Sequence, residues 1–445
     1  MRIGIISLGC PKNLVDSEIM MGLLLEDGQE IVHPDEADVV VINTCAFIRA
    51  AEDEAEEVIS EILADKGDRK LIVAGCLAQR YGRSLFDRFP DVDAVLGTGE
   101  FQRIAHVVRS LGGSESKITF IGQPEYLYDH LTPRFLGTPP HYAYIKIAEG
   151  CSNACSFCAI PRLRGRYRSR EFDSVLSEAT ALAEAGVKEL VLVSQDTTGY
   201  GLDLYGLPML ADLLSELAEI EGPRWIRFLY SYPSRIEERL LEVMAENDRI
   251  CKYLDMPIQH IHDDILSKMR REGGEREIRK AVRMARELIP DVTLRTTVIV
   301  GFPGEEENHF RSLLRFLEEV EFDHLGVFAF SPEEGTPAAR MEGQVPEEVK
   351  LERLERVVEL QAEIAFRRRQ RLTGRKVEIL LEGFDPERNM AFGRAEFQAP
   401  EIDDLVFVRG VGRERAERLR GSFIKARIEG VCGYDLIAEV EGSGI

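Results

Sequence analysis

The sequence predicts an α/β protein built from three successive parts, because the pattern of apolar residues changes twice along the 445-residue chain. Short apolar runs alternate with helical segments over residues 1–135, and the alternation restarts over residues 136–372. Over residues 373–445 short strands separated by Gly and Asp turns replace the helical pattern. We therefore expect an N-terminal doubly wound parallel sheet, a central partial (β/α) barrel and a C-terminal small antiparallel β-barrel.

The N-terminal part carries four short apolar runs of the kind found in parallel strands buried on both faces. Helical segments lie between these runs. The clearest predicted helix, Ile48–Ala64, has several glutamates in its first turns, where the helix dipole favours negative charge. The predicted strands are Arg2–Leu8, Asp38–Asn43, Lys70–Ala74 and Ala94–Leu96.

The central part follows Thr132–Pro140, a stretch with several Pro and Gly residues that we interpret as a linker. Six strand-and-helix units follow, with helices predicted at Asp173–Ala185 and Glu275–Leu288. A closed barrel of this kind needs eight units, so six units predict an open, partial barrel. The predicted strands are Tyr142–Ile147, Glu189–Val193, Trp225–Tyr230, Tyr253–Met256, Thr293–Val300 and Leu325–Phe330.

A long charged helix, about Pro346–Leu372, is predicted to end the central part. The short segments after it, with Gly and Asp turns between them, are typical of a small β-barrel. The predicted strands of this barrel are Val377–Leu381, Ala391–Glu396, Leu405–Val408, Phe423–Ile428 and Tyr434–Val440.

Composition and charge narrow the possible functions. No run approaches eighteen apolar residues, so we expect no membrane span, and the N-terminus opens as a strand rather than as a signal peptide. We therefore expect a cytoplasmic protein whose eight cysteines stay reduced, which makes metal or cluster ligation the better interpretation. The net charge of −22 opposes phosphate-driven binding of nucleic acid and favours a basic protein partner.

Three cysteines, Cys151, Cys155 and Cys158, follow the first predicted strand of the central part at spacings that suit an iron–sulfur cluster. Because three thiolates cannot ligate all four irons of a [4Fe–4S] cluster, one iron stays open, as chemistry at a metal requires. The alternative is a structural zinc ion held by these cysteines and a distant fourth ligand. The spacing at the head of a β/α barrel favours the cluster.

A second set of cysteines emerges once the N-terminal strands are assigned. Cys10, Cys45 and Cys76 each lie just beyond the end of a predicted parallel strand, where open α/β sheets bind ligands. We expect the three thiols to converge at one edge of the sheet and to hold a second cluster. The alternative is three small residues buried separately in turns, since free cysteine is commonly buried.

The Cys151/Cys155/Cys158 motif resembles the signature of radical S-adenosylmethionine enzymes. With the three earlier cysteines ahead of it and a small barrel behind it, nearly the whole chain resembles the methylthiotransferases, which combine a methylthiotransferase domain, a radical core and a TRAM barrel. The segments Ser7–Glu18, Gln195–Gly201 and Pro257–Ile261 resemble the branch that acts on ribosomal protein S-twelve. Branches that modify tRNA adenosine typically have different residues after the first cysteine.

The resemblance implies two [4Fe–4S] clusters, one on each set of three cysteines, with S-adenosylmethionine as radical source and methyl donor. It implies addition of a methylthio group to the β-carbon of an aspartate in ribosomal protein S-twelve, with electrons from a donor such as flavodoxin or ferredoxin. A radical cofactor fits this reaction, since no side-chain base removes hydrogen from an unactivated carbon at neutral pH. The alternatives are a tRNA adenosine methylthiotransferase and a non-catalytic iron–sulfur or zinc scaffold.

The resemblance also suggests cofactor contacts. Gln195 and Asp196 end the second predicted barrel strand, where this superfamily tends to bind the methionine moiety. Ile299 and Gly301 resemble the fifth-strand motif, although the segment departs from that motif at Thr297 and at the following glutamate. A tight turn at Gly301 is the alternative explanation for that glycine.

Five arginines alternate strictly with other residues, so on a strand they would share one face. They would line a cleft for a cofactor carboxylate or an acidic substrate side chain, and a solvated edge is the alternative. These residues are Arg162, Arg164, Arg166, Arg168 and Arg170.

The remaining candidates are interpreted as structural. His260 and His262 follow a strand end. We interpret this segment as an ordinary polar loop, and the alternative is that one of the two histidines contacts the substrate. Cys251 and Cys432 have no partner at ligand spacing and are expected to be packing residues. Four arginines near a helix C-terminus suit the helix dipole, namely Arg367, Arg368, Arg369 and Arg371.

Overall fold

The computed structural model describes residues 1–112 and 116–441, which pack around apolar cores in three successive parts of the chain. The predicted fold class is confirmed: a parallel sheet is followed by an open (β/α) barrel and a closed five-stranded barrel. None of the helices within these residues combines the length and the apolar composition needed to cross a membrane.

The N-terminal part is a fully parallel sheet with helices on both faces. Its strands are β1 (Arg2–Ser7), β2 (Glu30–Ile31), β3 (Val39–Thr44), β4 (Lys70–Gly75), β5 (Ala94–Leu96) and β6 (Ile118–Phe120). Its helices are α1 (Pro11–Glu26), α2 (Arg49–Ala64), α3 (Cys76–Tyr81), α4 (Leu85–Arg88) and α5 (Ile104–Leu111). The four predicted strands are present, and the additional β2 and β6 are too short to show a sequence pattern.

The strand order is β2-β1-β3-β4-β5-β6, so the winding of the chain reverses between β1 and β3. The register pairs Ser7 with Asn43 and Thr44 with Gly75, which aligns the carboxyl ends of β1, β3 and β4. A crevice forms where the winding of an open α/β sheet reverses, and ligands bind there. The order therefore marks one end of this sheet as a binding region.

The central part contains six main parallel strands in chain order, as predicted. Its strands are β7 (Tyr142–Lys146), β8 (Ala148–Glu149), β9 (Arg168–Ser169), β10 (Glu189–Val193), β11 (Trp225–Phe228), β12 (Tyr253–Asp255), β13 (Thr293–Val300) and β14 (His324–Ala329). Its helices are α6 (Ile160–Leu163), α7 (Phe172–Glu184), α8 (Leu210–Glu219), α9 (Glu238–Glu246), α10 (Asp263–Lys268), α11 (Gly274–Leu288), α12 (Glu307–Val320) and α13 (Glu347–Gln370). The sheets β7-β10-β11 and β12-β13-β14 are joined by a parallel bridge between Ile226 and Ile250.

The C-terminal part is a closed barrel in the order β15-β16-β17-β19-β18. It contains β15 (Lys376–Asp385), β16 (Met390–Ala395), β17 (Val406–Arg409), α14 (Arg413–Leu419), β18 (Phe423–Cys432) and β19 (Asp435–Val440). All strand pairs are antiparallel except β17 with β19, which is parallel. A closed ring of five strands cannot alternate direction at every pair, so one parallel pair is unavoidable. The short helix α14, which the sequence pattern did not predict, lies between β17 and β18.

A buried ion cluster joins the C-terminal barrel to the central part. Glu189 begins β10, and its carboxylate lies 2.8 Å from Arg227 Nε and 2.7 Å from Arg394 Nη2. All three side chains are almost completely buried. Because burying ions is costly unless they are paired, the docking of the barrel depends on all three members of this ion cluster.

Replacing Glu189 by Ala is expected to lower the free energy of unfolding by about 3–5 kcal/mol, since it takes away the anion that pairs with the buried Arg227 and one of the two anions beside Arg394. Urea denaturation of the purified variant measures this loss. Glu378→Ala is the matched control, because the Arg224–Glu378 ion pair also joins these two parts but is solvent-exposed. The control should cost no more than about 1 kcal/mol. Equal losses from the two variants would contradict the role assigned to the buried cluster.

Candidate functional site

The structure brings Cys10, Cys45 and Cys76 together at the carboxyl ends of β1, β3 and β4. Cys10 precedes α1, Cys45 directly follows β3, and Cys76 begins α3 directly after β4. A Cβ at position 9, where φ is +88°, would lie 2.6 Å from Cys45 Cβ, so only glycine allows the first two loops to approach so closely.

Gly75 serves the third loop in the same way. Its φ is +92°, and a Cβ there would lie 2.4 Å from Asn43 Oδ1 and 2.6 Å from the Thr44 carbonyl oxygen. Asn13 holds the loops in place, because its Nδ2 donates to the carbonyl oxygens of Leu8 and Thr44, each at 2.9 Å. Local backbone geometry and one amide side chain thus fix where the thiols converge.

The thiols of this first triad lie in a largely dry environment. Burial, together with repulsion from the neighbouring thiolates of Cys76 and Cys10, raises the pKa of Cys45 to about 12. Burial also raises the pKa of Cys76. Buried thiolates need a compensating positive charge, which bound iron would supply, so the donor set suits an iron–sulfur cluster.

Cys151, Cys155 and Cys158 lie in the loop between β8 and α6, above the first main strand of the barrel. The Cys151 backbone N–H donates to the Gly165 carbonyl oxygen at 3.1 Å, and Ser156 N donates to the Met269 carbonyl oxygen at 3.0 Å. Arg271 Nη1 lies 3.8 Å from Cys155 Sγ.

The residues of this second triad differ in exposure, since Cys151 is buried and Cys155 and Cys158 are partly exposed. Burial raises the pKa of Cys151 to about 11, and the pKa of Cys158 is raised by burial and by repulsion from Cys155. Three thiols within one loop, with a cationic side chain beside Cys155, fit the ligand set of a [4Fe–4S] cluster.

Buried polar atoms occur in the loops that follow β10, β11 and β12, and one of them, His260 Nε2, lies 3.8 Å from Glu305 Oε2. They are Gln195 Oε1, Ser231 Oγ and His260 Nε2, each buried and each without a hydrogen-bond partner among the described residues. Gln195 is oriented by its Nε2, which donates to Glu149 Oε1 at 2.9 Å. Free acceptors and donors at strand ends suit a polar ligand such as the amino-acid moiety of S-adenosylmethionine.

Asp196 is placed differently from its neighbour Gln195. Its Oδ2 accepts from Asn153 Nδ2 at 2.8 Å and from Arg235, and its Oδ1 accepts from Thr198 Oγ1 at 2.7 Å. Because Asn153 belongs to the cysteine loop, the Asp196 carboxylate ties that loop to the end of β10. Asn153 and Arg235 were missed in the sequence, where neither carries a motif of its own.

Ile299 and Gly301 lie at the end of β13. Ile299 belongs to the small apolar cluster that also includes Phe157, a residue of the cysteine loop. Gly301 has φ +71°, and its N–H donates to Glu305 Oε2 at 2.9 Å. Glu305 also pairs with Arg353 at 2.9 Å, so the displaced glutamate holds this turn.

The alternating arginines do not share one face, and that expectation was wrong. Gly165, with φ +77°, turns the chain after α6, so no continuous strand forms. Arg164 and Arg170 are buried, whereas Arg162 and Arg166 are exposed. The arginines do alternate in the sequence, but the turn at Gly165 places their side chains in different environments.

The other candidates have clear surroundings. His260 is buried, and burial lowers its pKa to about 3, while the His262 ring caps α10 by accepting from Asp264 N at 3.3 Å. Cys251 packs in an apolar core, but Cys432 is exposed at the end of β18, so its interpretation as a packing residue was wrong. The arginines at the end of α13 form ion pairs with Glu321, Asp323 and Asp404.

Comparisons with known proteins match this arrangement part by part. Residues 145–317 match the Radical SAM superfamily, residues 2–97 match Uncharacterized protein family UPF0004, and residues 373–440 match the TRAM domain. The radical S-adenosylmethionine methyltransferase TsrM from Kitasatospora setae, solved with cobalamin and a [4Fe-4S] cluster, has a similar fold. It aligns with a TM-score of 0.56 and 16% identity over 76% of each chain. The fold and the second cysteine triad define the protein as a member of the radical S-adenosylmethionine class.

Curated relatives extend this similarity along the whole chain. Ribosomal protein uS12 methylthiotransferase RimO of Pelotomaculum thermopropionicum is 48% identical over 98% of this chain and 99% of its own. The proteins of that name from Geobacter sulfurreducens and Syntrophus aciditrophicus are 45% and 49% identical, each over 99% of this chain and 98% of its own. The chain belongs to the RimO family of methylthiotransferases.

Replacing Gly75 by Ala is expected to displace the Cys76 loop, because the added Cβ would overlap Asn43 and the Thr44 backbone. The anaerobically reconstituted variant should bind about half of the parent's iron, since only one cysteine triad is disturbed. Iron and sulfide analysis together with electron paramagnetic resonance (EPR) measures this loss.

Gly186→Ala is the matched control, because Gly186 has a similar φ of +94° but no atom within 4 Å of its added Cβ. This variant should show a small loss of stability from backbone strain, about 1–2 kcal/mol, and full iron content. Full iron in Gly75→Ala would show that close packing at position 75 is not required for the triad.

Proposed function

We propose that the protein is a radical S-adenosylmethionine enzyme that replaces a hydrogen on the β-carbon of an aspartate in ribosomal protein uS12 with a methylthio group. One observation carries this proposal: two cysteine triads lie in adjoining parts of a chain that aligns end to end with proteins named for this activity. The tRNA alternative has no such support, and the net charge of −22 opposes it.

The two triads have separate tasks in this proposal. Cys151, Cys155 and Cys158 would hold the cluster that activates S-adenosylmethionine, and Cys10, Cys45 and Cys76 would hold the auxiliary cluster. When bound, the cluster of the central part and S-adenosylmethionine supply the one-electron chemistry that breaks an unactivated C–H bond.

Side chains of this protein bind the cofactor and hold the cysteine loop in position. Gln195 Oε1 would accept a hydrogen bond from the amino group of S-adenosylmethionine, while Glu149 keeps the amide in its orientation. Asp196 holds the cysteine loop through Asn153, so it contributes position as well as a cofactor contact. Ile299 supplies an apolar wall beside the cysteine loop. A Cβ at Gly301 would lie 2.3 Å from Lys350 Cγ, so this glycine allows α13 to pack against the turn after β13.

Each of the three parts of the chain has its own function in this proposal. Residues 1–135 form the methylthiotransferase domain with the auxiliary cluster, residues 136–372 form the radical core, and residues 373–445 form the TRAM barrel that helps to engage the protein substrate. A strongly acidic enzyme attracts a basic ribosomal protein, either free or within the ribosome. The reaction takes place in the cytoplasm, with a small acidic electron donor of the flavodoxin or ferredoxin type.

The substrate assignment predicts a selective product. The reconstituted protein, incubated with S-adenosylmethionine and a reductant, should add a methylthio group to uS12 and leave tRNA unchanged. Mass spectrometry of the uS12 peptide, with digestion and nucleoside analysis of the tRNA, measures both products. Modified tRNA beside unmodified uS12 would refute the proposed substrate.

The assignment of the triads predicts two different defects. Cys151→Ala should abolish the release of 5′-deoxyadenosine and therefore the product, whereas Cys45→Ala should retain this release and lose only the methylthiolated product. Chromatography of the nucleosides and mass spectrometry of uS12 separate the two outcomes. Cys432→Ser is the control and should behave as the parent, because this exposed thiol lies in the C-terminal barrel. A non-catalytic scaffold would release no 5′-deoxyadenosine in any variant.

A further inference from the structure

A network of buried charged side chains lies between the two cysteine triads. Its central member is Arg164, which is only 2% exposed. The guanidinium group donates to Asp16 Oδ2 at 2.5 Å, to Glu149 Oε2 at 3.3 Å and to Asn13 Oδ1. Asp16 and Asn13 belong to the N-terminal part and Glu149 to the central part, so this one side chain connects them.

The segment Arg164–Gly165 is connected to both triads. On the central side, the Cys151 N–H donates to the carbonyl oxygen of Gly165, the residue next to Arg164. On the N-terminal side, Asn13 Oδ1 accepts from Arg164 and lies 3.9 Å from Cys76 Sγ. The Arg164 guanidinium and the Cys76 thiol therefore approach the same amide oxygen, which places a positive charge close to this triad.

Two lysines complete the network. Lys146 Nζ lies 2.6 Å from Glu149 Oε2 and also pairs with Asp16. Lys12 Nζ lies 3.5 Å from the centre of the Tyr230 ring, and it interacts electrostatically with Cys10 and with Glu149.

The network has three positive side chains, Lys12, Lys146 and Arg164, and two negative side chains, Asp16 and Glu149. All five are buried. A surplus buried cation is costly unless an anion lies beside it. The neighbours of the surplus charge are Cys10 and Cys76. A [4Fe–4S]²⁺ core held by three thiolates carries about one net negative charge, which matches the surplus.

We propose that Arg164, assisted by Lys12, is the charge partner of the cluster held by Cys10, Cys45 and Cys76, and that it sets the reduction potential of that cluster. This inference rests on the proposed function, which assigns a cluster to these cysteines. A positive charge beside a cluster stabilises the more negative, reduced form. Arg164 is therefore a positioning and tuning residue rather than a ligand.

The test isolates the auxiliary cluster in the full-length chain by replacing Cys151, Cys155 and Cys158 with Ala. In this parent, Arg164→Gln should shift the midpoint potential to a more negative value, and Arg164→Lys, which keeps the charge, should recover most of the shift. Lys12→Gln should shift it in the same direction by a smaller amount. An anaerobic redox titration followed by EPR measures each potential.

Arg170→Gln is the matched control. Arg170 is equally buried and paired, but its partners are Glu178 and Tyr128 rather than residues beside a cysteine. It should leave the potential of the auxiliary cluster unchanged. A purely structural role for Arg164 would make the two glutamine variants behave alike, and that result would overturn the proposal.

The remaining outcomes are also decisive. If Arg164→Gln does not retain a cluster, the midpoint potential of Lys12→Gln is the test. A shift to a more negative value supports the proposal, and an unchanged value overturns it. If the parent with intact Arg164 binds no iron, the assignment of the auxiliary cluster fails and this inference fails with it. If the parent binds iron and the potentials of all variants coincide, only the role of Arg164 is overturned.

Discussion

The arrangement of the site depends on the buried ion network formed by Asp16, Lys146, Glu149 and Arg164. These residues come from the N-terminal sheet and the central barrel, and their charges are withdrawn from water. Removing one partner would leave a buried charge uncompensated, so the two parts have one favourable docking geometry. That geometry places one cysteine triad beside the other.

Each triad follows from a property of parallel sheets. Side chains and loops at the carboxyl ends of adjacent parallel strands meet at the same edge, whatever their separation in sequence. Cys10, Cys45 and Cys76 meet because β1, β3 and β4 are neighbours. Gly9 and Gly75 let the loops approach more closely than a residue with a Cβ would allow. The barrel uses the same end of its strands for the second triad.

The C-terminal barrel is attached both by apolar packing, in which the Trp225 and Phe423 rings lie 4.9 Å apart, and by buried charge pairing. Glu189 accepts two guanidinium groups at this interface, and Tyr253 donates to Asp403 at 2.6 Å. Such an interface is specific, because each buried charge must meet its partner. It holds the barrel against the strands of the radical core.

The sequence by itself determined the fold class, the order of the parts and the cysteines that form each set, because the periods of strands and helices and the spacing of ligands are local properties. It also indicated Gln195 at a strand end. It did not determine that Asn13, Lys12 and Arg164 meet around the first triad, or that Arg164 is buried while Arg162 is exposed. Only the packing of two separately folded parts brings distant charges together and decides which of them lose water, and no local pattern encodes that choice.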